Sequence, residues 1–260
     1  MTCLLHFEII KLILMEYYFV NETQVNHTLN QIIIQSEEYK HLAKVLRKRA
    51  GDSLVLTDGN LNVYFCKIKV VTSEIILCEI TDKKFNLNEP AVNVKLYVAP
   101  LRNLSRFEFA LEKSVELGIK SVHPVITENT VLKNKFSHAK TERFNKIIKA
   151  AMSQSQRCYL PVFNNTISFS ELIAQTKNDF NKIVMYEFSD DNSETHFEKN
   201  SNDISLLIGP EGGFTKNEMN MLADNGWKHK SLGERKLRAE TASLISVYKI
   251  ISDFNFNNLK

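Results

Sequence analysis

The chain has 260 residues, of which 43% are hydrophobic and 24% charged, with a formal net charge of +3. Such values fit one or two folded domains and exclude a largely disordered chain. They also exclude a global cationic field, so any nucleic-acid contact must come from local basic patches.

Met1 to Leu14 is mostly apolar but carries His6, Glu8 and Lys11. It is too short to span a bilayer and lacks the basic start and small-residue cleavage site of a signal peptide. It reads as a dispensable extension of residues 1–14, with Met15 as the alternative biological start. From there to residue 88 the pattern is mostly β. Glu16–Val20 is the expected first strand. Ser36 is the expected cap of a helix from Glu37 to Ala50, with Leu42, Val45, Leu46 and Arg49 on one face. Ser53–Thr57 and Leu61–Val70 flank Asp58-Gly59, a dipeptide suited to the positive φ values of a tight hairpin. A further strand is expected over Glu74–Ile80, and a small barrel with a crossing helix accommodates the whole segment.

Asn86 to Pro90 is polar and ends in proline, a candidate boundary. Beyond it, over residues 91–260, strands and helices alternate. Val94–Ala99, Ser121–Ile126, Ile183–Glu187, Ile204–Ile208 and His229–Leu232 are the expected strands. Ser105 to Glu108 has the form of a capping box whose helix stops at Gly118, and Thr215 to Glu218 is a second one closed by Gly226. Phe144, Ile147, Ile148, Ala151 and Met152 follow helical spacing. A last helix, Ala239 to about Asp253, is apolar on most sides and is expected to be buried. Alternation of this kind implies an α/β domain with a mainly parallel sheet covered on both faces.

The four cysteines, at 3, 66, 78 and 158, form no CxxC pair and have no histidine at zinc spacing. They are expected to be reduced, in a cytoplasmic protein without a metal. His123, on an apolar strand, is expected to be a satisfied core residue.

Two segments carry chemistry. In the first, the apolar strand Leu206–Ile208 runs into Gly209-Pro210-Glu211-Gly212-Gly213-Phe214 and then into a capped helix. Ligands of open α/β sheets bind at the carboxyl ends of strands, and glycines there admit close backbone approach. The pattern is neither GxGxxG nor GxxxxGK[ST], which disfavours a dinucleotide or nucleoside triphosphate. A tight turn needing positive φ explains the glycines equally well. In the second, Ser231-Leu232-Gly233-Glu234-Arg235-Lys236-Leu237-Arg238 precedes Ala239-Glu240-Thr241-Ala242, placing charges where a helix starts. Taken singly, these residues fit a solvated loop.

Together the two segments resemble the SPOUT superfamily of knotted methyltransferases. Within it the chain is most similar to the bacterial family that methylates N3 of a uridine in 16S ribosomal RNA. His41-Leu42-x-x-Val45-Leu46-Arg47 with Gly51-Asp52 and Asp58-Gly59 resembles that family's PUA-like barrel, and Glu112-Lys113-x-x-Glu116-Leu117-Gly118 and Gln154-Ser155-x-Arg157-x-x-x-Pro161 resemble its central signatures. The resemblance implies a PUA-like β-barrel RNA-binding domain over residues 15–88. It implies a SPOUT methyltransferase domain with a trefoil knot over 91–260, a feature that sequence pattern alone could not show.

By position, S-adenosylmethionine would be held by Leu207, Gly209, Pro210, Glu211, Gly212, Leu232, Gly233, Leu237 and Arg238. Arg238, Glu211 and Glu240 are the candidate catalytic residues: Arg238 to stabilise negative charge on uracil, and either glutamate to accept a proton or hold a ribose hydroxyl. Lys44, Arg47, Lys48, Arg49, Arg143 and Arg157 are the candidate RNA contacts, although a basic run on a helix is ordinarily just a solvated face. The implied partners are 16S rRNA or the small ribosomal subunit and a second copy of the chain, with no membrane. Two departures stand out: Ala150-Ala151-Met152-Ser153 replaces acidic residues that precede the central glutamine in many members, and Lys236 stands where an aliphatic residue is common. Two other functions fit the same residues: a SPOUT enzyme for another rRNA or tRNA nucleotide, and a non-catalytic RNA-binding ribosome-assembly protein.

Overall fold

The structure, a computed structural model, describes residues 16–189, 197 and 201–257. The extension and the choice between Met1 and Met15 lie outside them. The chain divides into two compact units, one built from residues up to 89 with 152–160, the other from 90–151 and 161 onward.

The N-terminal unit is a curved half-barrel sheet in the order β1-β4-β5-β6-β3-β2. Its strands are β1 (Tyr17–Phe19), β2 (Val25–Asn26), β3 (Gln31–Ile34), β4 (Ser53–Thr57), β5 (Asn62–Val71) and β6 (Ile76–Phe85). Alternate residues point to opposite faces. Tyr18, Leu54, Leu56, Tyr64 and Ile68 therefore enter one core, while Tyr17, Val55 and Val63 enter another with Cys158. The β4–β5 hairpin follows the Asp58-Gly59 expectation. Gly59 has φ +72°, and the buried Asp58 carboxylate accepts the Asn60 N–H at 2.8 Å and the Asn62 side-chain amide at 2.6 Å. Glu89 closes the unit: its carboxylate accepts the Arg157 guanidinium at 2.6 Å and the backbone N–H groups of Cys158 and Tyr159.

The crossing helix departs from expectation. α1 (Ser36–Tyr39) makes one α-turn and continues as a π-helix over Lys40–Val45, and no side-chain cap bond forms at its start. The wider π turn shifts the faces. Leu42 stays buried, whereas Val45 and Leu46 are 67% and 41% exposed.

The second unit carries a seven-stranded sheet with the path β10-β8-β7-β12-β11-β13 and β9 beside β8. The strands are β7 (Asn93–Val98), β8 (Ser121–Ile126), β9 (Val162–Phe163), β10 (Ile167–Ser168), β11 (Asn181–Met185), β12 (Asp203–Ile208) and β13 (Lys228–Lys230). Every pairing is parallel. The helices are α2 (Leu104–Leu117), α3 (His138–Gln154), α4 (Phe169–Gln175), α5 (Lys216–Asp224) and α6 (Ala239–Asn257). On one face, Tyr97, Val184 and Leu207 pack against Leu172, Leu222 and Trp227. On the other, α2 and α6 pack together and α6 lies along β7 and β12. His123 is a satisfied interior residue, stacked on Tyr97 with ring centres 4.5 Å apart and bonded to Ser121 Oγ at 2.8 Å.

Two helix expectations need correcting. Asn103, not Ser105, caps α2, its side chain accepting the Ser105 N–H at 2.9 Å. Asparagine is an equally good acceptor, so the helix starts two residues earlier, and Glu108 is released to pair with Arg143 at 2.6 Å. α6 is not buried all round: Val247 and Ile250 are, but Ile245 and Tyr248 are 42% and 64% exposed.

Candidate functional site

Three adjacent parallel strands, β12, β11 and β13, end beside one another, and the turns after them enclose a cavity of about 380 Å³. The turn after β12 is tight: Gly213, at φ +68°, donates its N–H to the Pro210 carbonyl at 2.9 Å. Asn129 braces it from outside, its amide donating to the carbonyls of Gly212 and Gly213 at 3.2 Å each. A Cβ on Gly209 would stand 2.8 Å from the Phe214 ring, so glycine is what lets that ring close over the turn. The turn then hands over to α5 through the expected capping box. Thr215 Oγ1 accepts the Glu218 N–H and Glu218 Oε2 accepts the Thr215 N–H at 2.9 Å. Glu218 Oε1 also accepts the Glu128 N–H at 2.8 Å, tying the start of α5 to the loop after β8.

The turn after β13 is held by its own serine, whose Oγ accepts the Gly233 N–H at 3.1 Å. Gly233 has φ +103°, and no atom lies within 4 Å of where its Cβ would be. The chain then enters α6, placing Ala239, Glu240 and Ala242 at the cavity wall. β11 supplies Met185 and the following Tyr186, Glu187 and Phe188, and α2 supplies Arg106 from its first turn.

Apolar lining comes from Met185, Phe188, Ile208, Leu232 and Leu237, and charge from Arg106, Arg235, Lys236 and Arg238 against Glu187, Glu211 and Glu240. The carboxylates differ in their commitments. Glu211 Oε1 accepts the backbone N–H of Arg102 at 3.1 Å. Glu187 Oε1 faces Lys236 Nζ at 3.3 Å on two exposed side chains. Glu240, only 12% exposed, has Arg106 Nε at 3.7 Å. This mixture suits a small polar ligand with an apolar body, of the size such clefts usually take.

Of the residues singled out in the sequence, Gly209, Pro210, Glu211, Gly212, Leu232, Gly233, Leu237, Arg238 and Glu240 line this one cavity. Leu207 does not: its side chain points to the core face of β12 with Tyr97 and Trp227, and Ile208 takes its place. Lys44, Arg47 and Arg49 are exposed in the N-terminal unit and Lys48 is half-buried. Arg143 is exposed on α3, against Glu108. Arg157 requires correction as an RNA contact. It is 3% exposed and its guanidinium is spent on Glu89, so it presents nothing to a phosphate.

Sequence reasoning missed Arg106 and the Met185–Phe188 segment. The second was signalled by the rule that ligands sit at strand carboxyl ends, since Ile183–Glu187 reads as a neighbouring strand. Arg106 had no local signal. Among the described residues, no helix is long and apolar enough to cross a membrane, and no group of three or more His, Cys, Asp or Glu side chains could hold a metal ion. Cys66, Cys78 and Cys158 are free and buried, and burial pushes the Cys78 and Cys158 thiols up to about 12.

Residues 88–251 match the RNA methyltransferase domain family and residues 34–84 the RNA methyltransferase PUA domain family. The ribosomal RNA small subunit methyltransferase E of Mesomycoplasma hyopneumoniae is 30% identical over 91% of this chain and 99% of its own length. That of Aquifex aeolicus is 27% identical over 86% of this chain and 95% of its own. The crystal structure of the Neisseria gonorrhoeae enzyme of the same name, bound to S-adenosyl methionine, superposes with a TM-score of 0.80 at 25% identity, covering 92% of this chain and 97% of that one. Both units are thus matched in order along the sequence, and the chain belongs to the ribosomal RNA small subunit methyltransferase E family.

Proposed function

We propose that the protein transfers a methyl group from S-adenosylmethionine to N3 of a specific uridine in the 16S rRNA of the small ribosomal subunit, as a cytoplasmic homodimer. The observation that carries this reading is the convergence of two glycine turns, Gly209–Gly213 and Ser231–Gly233, with Arg238 and Glu240 on a single cavity. The residues present fit the cofactor. Gly233 leaves open space where a Cβ would intrude, the apolar wall suits an adenine and the methylene groups beside a sulfonium, and the exposed carboxylates of Glu187 and Glu211 suit hydroxyl and ammonium groups. The open Ile245 and Tyr248 on α6, with Phe109 on α2, offer an apolar face to a second copy.

When bound, the cofactor supplies a methyl group already activated on a sulfonium centre. The chain must then orient the base, exclude water and manage one proton. Uracil N3 carries a proton at neutral pH and attacks only as that proton leaves. Arg238 favours the reacting base by holding the negative charge that spreads onto the uracil carbonyl oxygens. Glu211 and Glu240 are the carboxylates available to the proton or to a ribose hydroxyl. Exposed Lys44, Arg47 and Arg49 supply phosphate contacts, which set affinity rather than sequence choice.

The test is a methylation assay on small ribosomal subunits from a strain lacking this gene, with S-adenosylmethionine added and the RNA digested for nucleoside mass spectrometry. A new 3-methyluridine is expected, and Arg238→Ala is expected to slow its formation by about a hundredfold, the scale of a lost charge-stabilising donor. A different methylated nucleoside would refute the uridine N3 assignment. Failure to bind the cofactor would refute the catalytic reading and favour an RNA-binding assembly role.

A further inference from the structure

Glu240 is the enclosed carboxylate of the cavity. It lies in the first turn of α6 with its side chain 12% exposed, and Arg106, reaching in from α2, stands 3.7 Å from its Oε1 through Nε. That separation is an ion pair longer than a hydrogen bond. A cation on one side fixes where the carboxylate points, while its lone pairs stay available to a donor entering the cavity. Neither other carboxylate of the lining has this combination: Glu211 is exposed and takes the Arg102 N–H, and Glu187 faces the flexible ammonium of Lys236 at the surface. Enclosure matters because a proton acceptor works best in fixed geometry with water excluded.

We infer that Glu240 accepts the N3 proton and that Arg106 is the positioning residue that aims it, an inference resting on the uridine N3 reading above. The N3–H bond breaks and its proton passes to a Glu240 oxygen. The electron pair left on N3 forms the bond to the methyl carbon, and the carbon–sulfur bond breaks with its pair remaining on sulfur. Arg106 touches neither reacting atom and acts only through Glu240.

The experiment uses the full chain with small subunits lacking the modification. It measures kcat, KM for the subunit and calorimetric affinity for S-adenosylmethionine in Glu240→Gln, Arg106→Ala, Arg106→Lys and the double variant R106A/E240Q. Glu240→Gln is expected to lower kcat about a hundredfold, the lower end of general-base effects. Arg106→Ala should lower it about tenfold, Arg106→Lys should restore most of that, and the double variant should be no slower than Glu240→Gln alone, because residues acting as one unit are not additive. Cofactor affinity should stay within about threefold throughout, which a collapsed site would not allow. Losses that multiply in the double variant would overturn the inference, as would an Arg106→Ala effect confined to KM, which would make Arg106 a phosphate contact. If Glu240→Gln does not fold, the absence of rescue by Arg106→Lys would overturn it equally. A wild-type protein that forms no 3-methyluridine brings down the underlying reading, whereas an active wild type with multiplying losses removes only this step.

Discussion

Glu211 Oε1 accepts the backbone N–H of Arg102 at 3.1 Å, although 109 positions separate the two residues. The bond links the turn after β12 to the segment leaving β7, the strand paired beside it. A hydrogen bond to a charged acceptor is worth about 1.5–3 kcal/mol when sheltered, and less on an exposed side chain such as this one. Glu211→Ala is therefore expected to weaken S-adenosylmethionine binding by about three- to tenfold with little change in melting temperature. Titration calorimetry checks this, and an unchanged affinity would mean that the Gly213–Pro210 bond holds the turn unaided.

Two glycines should separate folding from binding. Gly118 ends α2 at φ +113°, and an added Cβ would collide with the Pro90 ring. Gly118→Ala combines a strained backbone with a clash and should cost about 2–4 kcal/mol in urea unfolding, leaving cofactor affinity intact in the folded fraction. Gly209→Ala meets only the end of the Phe214 ring, so it should cost less stability, about 1 kcal/mol, but weaken cofactor binding more than tenfold. The reverse pattern would contradict the placement of the site.

Arg157 and the exposed basic residues should behave oppositely. Removing one partner of a buried pair leaves an uncompensated charge, so Arg157→Ala should cost about 3–5 kcal/mol and lower expression of folded protein. The salt dependence of RNA binding should be unchanged in that variant. Lys44→Ala or Arg49→Ala should leave stability within about 0.5 kcal/mol while reducing the slope of log affinity against log salt by about one each. Filter binding at several salt concentrations distinguishes the two cases.

His123 gives the fold an acid limit. Burial, with Lys95 nearby, lowers its pKa to about 4. Between that value and the ordinary 6.5 the unfolded chain binds a proton that the folded one does not, so stability is lost as pH falls through this window. The loss approaches about 3 kcal/mol at the lower end, because each tenfold weakening of proton affinity is worth about 1.4 kcal/mol. Denaturant unfolding compared at mildly acidic and neutral pH should show this slope, and His123→Gln should flatten it. An equal slope in the variant would assign the acid sensitivity to other groups.

Much of the fold could be read locally because the forces that set it are local. Alternation at Leu54, Val55 and Leu56 marks a two-faced strand, and Thr215 with Glu218 closes its capping box from within four residues. The site was legible for a related reason: both turns announce themselves by glycine beside a strand end. What escaped depends on partners far away in sequence. The π turn after Tyr39 buries Leu42 at the expense of Val45, a preference set by the barrel core. Asn103 rather than Ser105 caps α2 because two adequate acceptors compete and local pattern does not rank them. Arg157 looks like any surface arginine until Glu89 is seen to enclose it, and Arg106 enters the site only because α2 and α6 pack together.

The return of residues 152–160 to the N-terminal unit fixes an order of assembly. When Glu89 is synthesised, the arginine that neutralises its carboxylate and the Cys158 that fills the second core are still about 70 residues from being made. At translation rates of about 5–20 residues per second, the amino-terminal sheet waits roughly 4–14 s for its last element. During that interval it holds an open apolar face and an unpaired charge. A fragment ending at residue 89 would be frozen in that state, so the first third of this chain depends on residues beyond its midpoint for its own completion.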